Sequence, residues 1–381
     1  MVTRRKLIEG AAALSAFAAT GFGPQLIGTA RAQTQARPTS QIEGRSTMIE
    51  VAQSPNFIWN GAVAAPNGRL FASMPGWLGP TPGVVEVMKD GTLKPFPGGQ
   101  WNEWNLGRDP TKSFVDINSI FADDKNNLWV LDAAAPYFAA AIEGAVKVVQ
   151  ISLDTNKVER IILFSKIAAP STTRLAHIRF SGDHAFMAES KAGSFYVIDL
   201  RDNSHRRILV GHPLMRCLPT DVPRIEGIYA RVENGAPVYI HNDLLDFGTD
   251  KSKLFFMCLF GSKIFQVNVD VLKNPSLSDD QIAKEVSVYR EQGPWIAGIC
   301  RDRVGNLYFS DAENNGMSVL RPDGKLEVVV RDPRIIWPIA PSVGPDGYLY
   351  FVSSQLNRVP MFGNGVDLVQ RPRRMFKIKV A

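Results

Sequence analysis

One short pattern recurs six times along the 381 residues and limits what the chain can fold into. It is a turn carrying Gly, Asn or Asp, followed by a strand that runs through Leu, an aromatic, a β-favouring residue and a small or acidic one. The copies are Asn67 to Ser73, Asn126 to Asp132, a weaker Asp183 to Glu189, Lys253 to Met257, Gly305 to Asp311 and Asp346 to Ser353. Each reads as a turn able to adopt positive φ that feeds a strand packed on a sheet. A second strand trails each copy, as in Gly83 to Val87, Ala145 to Ile151, Ser194 to Leu200, Lys263 to Val267, Met317 to Leu320 and Met375 to Ile378. Strand pairs repeated at roughly 40 to 70 residues, with little helical periodicity, predict an all-β chain folded as a six-bladed β-propeller. A two-layer sandwich does not predict one signature repeated six times. The single helix expected is Ser278 to Tyr289, opened by the capping sequence Ser278-Asp279-Asp280-Gln281.

Ahead of the repeats, Thr3-Arg4-Arg5-Lys6 precedes a soft apolar run from Gly10 to Phe22, and Ala30-Arg31-Ala32 closes the segment. That is the form of a twin-arginine export signal, with a Sec signal or an uncleaved anchor as the alternatives; the apolar run is too short to span a bilayer. The expected division is residues 1–32 signal, 33–48 flexible polar arm and 49–381 a single propeller. It implies passage through the twin-arginine machinery, a periplasmic or secreted location and no membrane attachment after cleavage. The leader supplies half of the formal charge of +6, so the basic balance argues no nucleic-acid partner. Cys217, Cys258 and Cys300 allow one disulfide, with three choices of pair, and none stands in a CxxC zinc pattern.

Three further blocks carry a family resemblance: Trp101-Asn102-Glu103-Trp104-Asn105, Asn118 to Asp124 leading into Leu128 to Asp132, and Tyr348 to Phe351 leading into Gln355-Leu356-Asn357-Arg358. In order and spacing they resemble the Yellow and major royal jelly protein family, including bacterial members related to dopachrome tautomerases. The resemblance implies a six-bladed propeller distantly similar to the gluconolactonase and regucalcin group. Function within such a family spans tautomerisation, binding of small molecules and structural roles, so membership alone does not choose among them.

In a propeller the innermost strands converge on one axial ligand position. Counting back from each repeated turn predicts Asn60, Asn118, Ala176, Glu226, Ala297 and Ile339 at the channel mouth. The resemblance to the lactonases implies a divalent cation, Ca²⁺ or Mg²⁺, for which Asn60, Asn118 and Glu226 are the oxygen ligands on offer; Ala297 and Ile339 bring none. The alternative is that both Asn side chains hydrogen-bond channel backbone and water.

Glu226 is the expected proton carrier, because a carboxyl in a partly dehydrated channel is pushed toward a neutral pKa; a rim salt bridge with Arg224 or Arg231 is the competing reading. His177, one residue past an axial slot, is the second proton carrier expected. His241, Asn242 and Asp243 read as ligand-contacting residues on a loop inserted before Leu254, with plain turn formation as the alternative. Trp337, with Trp101, Trp104 and Trp295, reads as a wall for a flat ligand or as core.

No nucleophile elbow, P-loop, GxGxxG or HExxH motif is present. The reading that follows is an exported propeller acting on a small cyclic or aromatic metabolite by tautomerase, isomerase or lactonase chemistry. A non-catalytic small-molecule binder is the alternative, and a structural propeller would have its channel plugged by large side chains.

Overall fold

The computed structural model describes residues 43–44, 47–232, 235–291, 296–362 and 365–381. The leader, most of the arm and Trp295 lie outside the described residues. Four-stranded antiparallel sheets are arranged as six blades. From inner to outer strand, blade 1 is Gly61–Ala64, Leu70–Met74, Gly83–Val87 and Leu93–Pro95. Blade 2 is Ile117–Ala122, Asn127–Asp132, Lys147–Ser152 and Lys157–Leu163. Blade 3 is Leu175–Ser181, His184–Glu189, Ser194–Asp199 and His205–Ile208. Blade 4 is Ile240–Phe247, Lys253–Leu259, Lys263–Asn268 and Ser287–Glu291. Blade 5 is Ile296–Arg301, Leu307–Asp311, Gly316–Leu320 and Leu326–Arg331. Blade 6 is Pro338–Val343, Tyr348–Ser353 and Arg373–Lys379, and its outermost strand is Met48–Ser54 from the other end of the chain. That pairing of first and last strands closes the ring.

The arm is not wholly free of structure: Glu43–Gly44 pairs with Val330 and Arg331 at the edge of blade 5. The expected long helix divides, because only Asp279–Lys284 is helical and Ser287–Glu291 becomes the outer strand of blade 4. Its capping box is present, Ser278 accepting from the Gln281 N–H while Gln281 reaches back to the Ser278 N–H.

The repeated turn signature has a local cause. In blade 2 the Asp123 carboxylate accepts from the backbone N–H groups of Lys125 and Asn127 and from the Trp129 indole at 2.8 Å. Blade 5 repeats this with Asp302 and the Tyr308 hydroxyl at 3.2 Å, and blade 6 with Asp346 and the Tyr350 hydroxyl at 2.8 Å. In these three blades an aspartate therefore fixes the turn and staples it to the aromatic of the next strand. The aromatic surfaces then fill the space between blades: Trp129 meets Phe180 of blade 3 at 4.6 Å, and Phe195 meets Phe256 of blade 4 at 4.9 Å between ring centres. Trp129, Phe195 and Phe256 are buried, and each such ring contributes roughly 1.5 to 3 kcal/mol. Trp129→Phe, which keeps an aromatic ring but removes the indole N–H and part of the buried ring surface, is expected to cost about 2 to 4 kcal/mol in urea denaturation.

Five of the six inner strands carry a register irregularity near their start, at Asn118, at 176–177, between Ile240 and Leu244, at 297–298 and at 340–341. Extra residues at these points turn side chains that a regular strand would direct into a blade toward the axis instead. Crowding there is close enough that a Cβ on Gly298 would stand 2.7 Å from the Ala340 nitrogen and 2.9 Å from the Ser310 hydroxyl, so only glycine fits.

Candidate functional site

The axial cavity follows the inner strands. A space of about 190 Å³ extends from Asn60 and His177, at the end where those strands begin, to Arg179 and Asp246. A wider cavity of about 570 Å³, at the end where they finish, shares Arg179, Asp246, Arg301 and Phe121 with it. Arg179 of blade 3 meets Asp246 of blade 4 at 3.3 Å, and this pair lines both spaces.

At the upper end, Asn60 and Asn118 touch. The Asn60 amide donates to the Asn118 side-chain oxygen at 3.2 Å and to its backbone carbonyl, and the Asn118 amide donates to the Leu175 carbonyl at 2.7 Å. Asn60 Oδ1 is buried without a protein partner.

His177 of blade 3 donates from Nδ1 to the backbone carbonyl of Asp243 in blade 4 at 2.7 Å. A carbonyl only accepts, so the proton sits on Nδ1 and Nε2 keeps its lone pair. Burial, aided by the Arg179 charge, lowers the His177 pKa to about 4 and holds the ring neutral.

The Asp243 carboxyl lies beside this ring, 3.9 Å from Nδ1 and with 10% of its side chain exposed. Burial lifts its pKa to about 7, against a hydrogen bond from Ser190 and the pull of Arg174. A second carboxyl, Asp116, is fully buried, and Nη1 of Arg174 lies 3.5 Å from it. Burial raises it also to about 7, and Asp132 adds to the rise. Two buried carboxyls whose pKa values are both raised to about 7, and whose charges both feel Arg174, make an acid–base cluster of the kind active sites concentrate.

Above the cluster lies a row of rings. Trp77 stacks on Phe138 at 4.9 Å, Phe138 meets Phe362 at 6.2 Å, and Phe362 stacks on Trp337 at 6.0 Å. The Arg174 guanidinium sits 5.8 Å from the Phe138 ring centre. Tyr137, Phe138 and Trp337 hold φ of 58°, 55° and 47°, all in the left-handed region that bulky residues avoid, and such strain collects at functional sites.

Several expectations need correction. Glu226 does not belong to the ring of inner strands; it lies at the turn of a separate hairpin, Arg224–Ile225 with Ile228–Tyr229. The long connector between blades 3 and 4 displaced the counting, and the true fourth inner strand begins at Ile240. Nor is the salt-bridge partner of Glu226 Arg224 or Arg231: the Arg358 guanidinium grips both carboxylate oxygens, at 2.5 and 2.7 Å, and Asn357 adds 2.9 Å. A carboxylate held by a bidentate arginine is a poor proton carrier. Glu226→Gln is expected to cost about 1 to 3 kcal/mol in denaturation, by weakening the contact to Arg358, and to leave the pH profile of any activity in place.

The segment holding His241, Asn242 and Asp243 is no inserted loop but the inner strand of blade 4 itself. Only Asp243 turns to the acid–base cluster. His241 accepts the Cys217 N–H at Nδ1, and Asn242, fully buried, donates to the Ser194 carbonyl at 2.8 Å, away from the axis. Trp337 is fully buried within the aromatic row. Asp116, Arg174 and Phe138 were not foreseen. Asp116 stands two residues ahead of the Asn118 slot, which was the available signal; Arg174 and Phe138 lie on connectors with no repeat to mark them.

The lactonase-type cation finds a poor ligand set here. Glu226 is neutralised by Arg358, both ends of the Asn118 amide are engaged, and of the three ligands expected only Asn60 Oδ1 remains open. Among the described residues no cluster of three His, Cys, Asp or Glu side chains is arranged to hold a metal ion.

Fold and cavity together define a six-bladed propeller with an acid–base cluster at one end of its axis. The family model for major royal jelly protein matches residues 117–381, and the chain belongs to that family. Among solved structures, a luciferin-regenerating enzyme is similar at 9% identity, covering 88% of this chain and 96% of its own, with a TM-score of 0.53. Virginiamycin B lyase from Staphylococcus aureus matches at 12% identity, 88% and 100% coverage and a TM-score of 0.51. A gluconolactonase from Xanthomonas campestris matches at 12% identity, 88% and 90% coverage and a TM-score of 0.51. These likenesses establish the fold. No curated protein sequence gives a significant match.

Proposed function

We propose that the chain isomerises a small cyclic or aromatic metabolite by moving a proton, with Asp243 as the proton carrier. The observation that carries this reading is the Asp243 carboxyl, poised near pH 7 against a neutral His177 that lines the axial cavity. A group with that pKa is present in both protonation states at neutral pH, so it can take a proton from one substrate atom and return it to another. His177 Nε2 accepts a hydrogen bond from a substrate hydroxyl, the Asn60 oxygen accepts a second, and Arg174 stabilises negative charge as the proton leaves.

The aromatic row favours a flat substrate, in line with the family's dopachrome-related members. A lactone is the second substrate class, supported by the architecture shared with a gluconolactonase; the ionised Asp243 would then serve as base toward water. Export through the twin-arginine route to the periplasm or beyond belongs to the same proposal and rests on the leader sequence alone.

The test incubates the protein in D₂O with dopachrome, other hydroxylated cyclic ketones and aldonolactones, and follows deuterium uptake at carbon and ring opening by NMR. Protein-dependent exchange supports the isomerase, and ring opening without exchange selects the lactonase. Saturable binding with neither overturns catalysis in favour of a binding protein.

A further inference from the structure

A second chemical site lies at the base of the connector that enters blade 4. Cys217 of that connector rests on the inner strand: its N–H donates to His241 Nδ1 at 3.2 Å and its thiol to the Ile240 carbonyl at 3.1 Å. Ile240 and Asn242 pair with Leu259 and Cys258 on the next strand, which carries Cys258 to the same spot. The Cys258 thiol lies 3.7 Å from the carbonyl of Met215, two residues from Cys217. Cys217 is partly exposed, whereas Cys258 is buried.

We propose that Cys217 and Cys258 form a redox site that low-molecular-weight disulfides such as glutathione disulfide oxidise to an internal disulfide. The neighbouring Cys258 and His241 lower the Cys217 pKa, while the neighbouring Cys217 and burial raise that of Cys258. Cys217, the partly exposed member, is therefore the one that meets the reagent and attacks as the thiolate, and the buried Cys258 is the resolving thiol. In the first step the Cys217 sulfur bonds to one sulfur of the reagent, whose S–S bond breaks and releases a thiolate. In the second the Cys258 sulfur attacks Cys217, displacing the other half as a thiol that takes the Cys258 proton. Two protein thiols are oxidised by two electrons, and one small disulfide is reduced to two thiols.

Cys300 takes no part. It is buried in blade 5 beside Tyr308 and Met317, and burial holds its pKa well above the usual thiol value. The bond would fasten the connector that carries the Arg224–Tyr229 hairpin directly to the strand beside Asp243, and would stabilise the fold by constraining the unfolded chain.

The test treats the full chain with glutathione disulfide, then denatures and alkylates it before mass spectrometry. Loss of two hydrogens, one alkylated cysteine at Cys300 and a crosslinked peptide joining Cys217 to Cys258 are expected. Cys258→Ser is expected to accumulate a stable glutathione adduct on Cys217, and Cys217→Ser to gain none on Cys258. Three alkylated cysteines after treatment, or a crosslink through Cys300, would overturn the proposal. The adduct on the Cys258→Ser protein keeps the test decisive if the native crosslink cannot be recovered intact.

Discussion

Asp243→Asn is expected to lower turnover by about 10²-fold or more and to make the protein more stable above pH 7. Both effects have one origin. The carboxyl ionises near its ordinary 3.8 in the unfolded chain and at about 7 in the folded one. Between those values the native state holds a proton that the unfolded state has lost. Its contribution to stability is thus fully present below about pH 4 and is lost as pH rises through 7, a swing of roughly 4 kcal/mol. Asparagine cannot ionise, so that slope disappears. His177 acts oppositely: its pKa falls from 6.5 to about 4, and its contribution is present above 6.5 and lost as pH falls toward 4. Melting temperature against pH, from 4 to 8, for the native chain and the variant separates the two. If both proteins show the same slope, Asp243 is not the buried acid described above; if the slope flattens but turnover persists, it is not the proton carrier.

The same physics explains what the sequence disclosed. The blades were legible because the propeller repeats one local solution, an Asp turn stapled to an aromatic two or more residues further along the strand, and Trp129, Tyr308 and Tyr350 stand where that solution requires them. Asn60 and Asn118 were found by counting from those turns. Counting failed at Glu226 because the connector between blades 3 and 4 inserts a hairpin that itself pairs as two strands, and nothing in its residues shows which strand reaches the axis. His177 and Asp243 were named for their chemistry, but their partnership depends on the register irregularities of two inner strands in adjacent blades. Arg174 and Asp116 meet only in three dimensions. Their environment, not their spacing, gives them a role.

The largest purely structural effect is expected at Lys147. Its ammonium is fully buried 2.6 Å from the equally buried Asp132 carboxylate, and it also donates to the Pro110 carbonyl at 2.7 Å. Asp132 in turn accepts from the N–H groups of Val115, Asp116 and Ala134. The pair therefore fixes the backbone that presents Asp116, and so supports one side of the acid–base cluster. Burial depresses the Lys147 pKa, and the Asp132 charge and hydrogen bond chiefly oppose it, with a smaller contribution from Asp109, so each ion of the buried pair is tolerable because of the other. Lys147→Met leaves Asp132 charged, desolvated and without its counter-ion, at a cost of about 3 to 5 kcal/mol. Asp132→Asn alone strands the ammonium in the same way, but it keeps a side-chain oxygen for part of the backbone donors. The double variant removes both charges and is expected to recover part of the loss. Urea denaturation of the two single variants and the double one gives the coupling between the residues directly. A coupling near zero would mean that the backbone donors around Asp132, not Lys147, carry its burial, and Asp116 would then keep its place without the lysine.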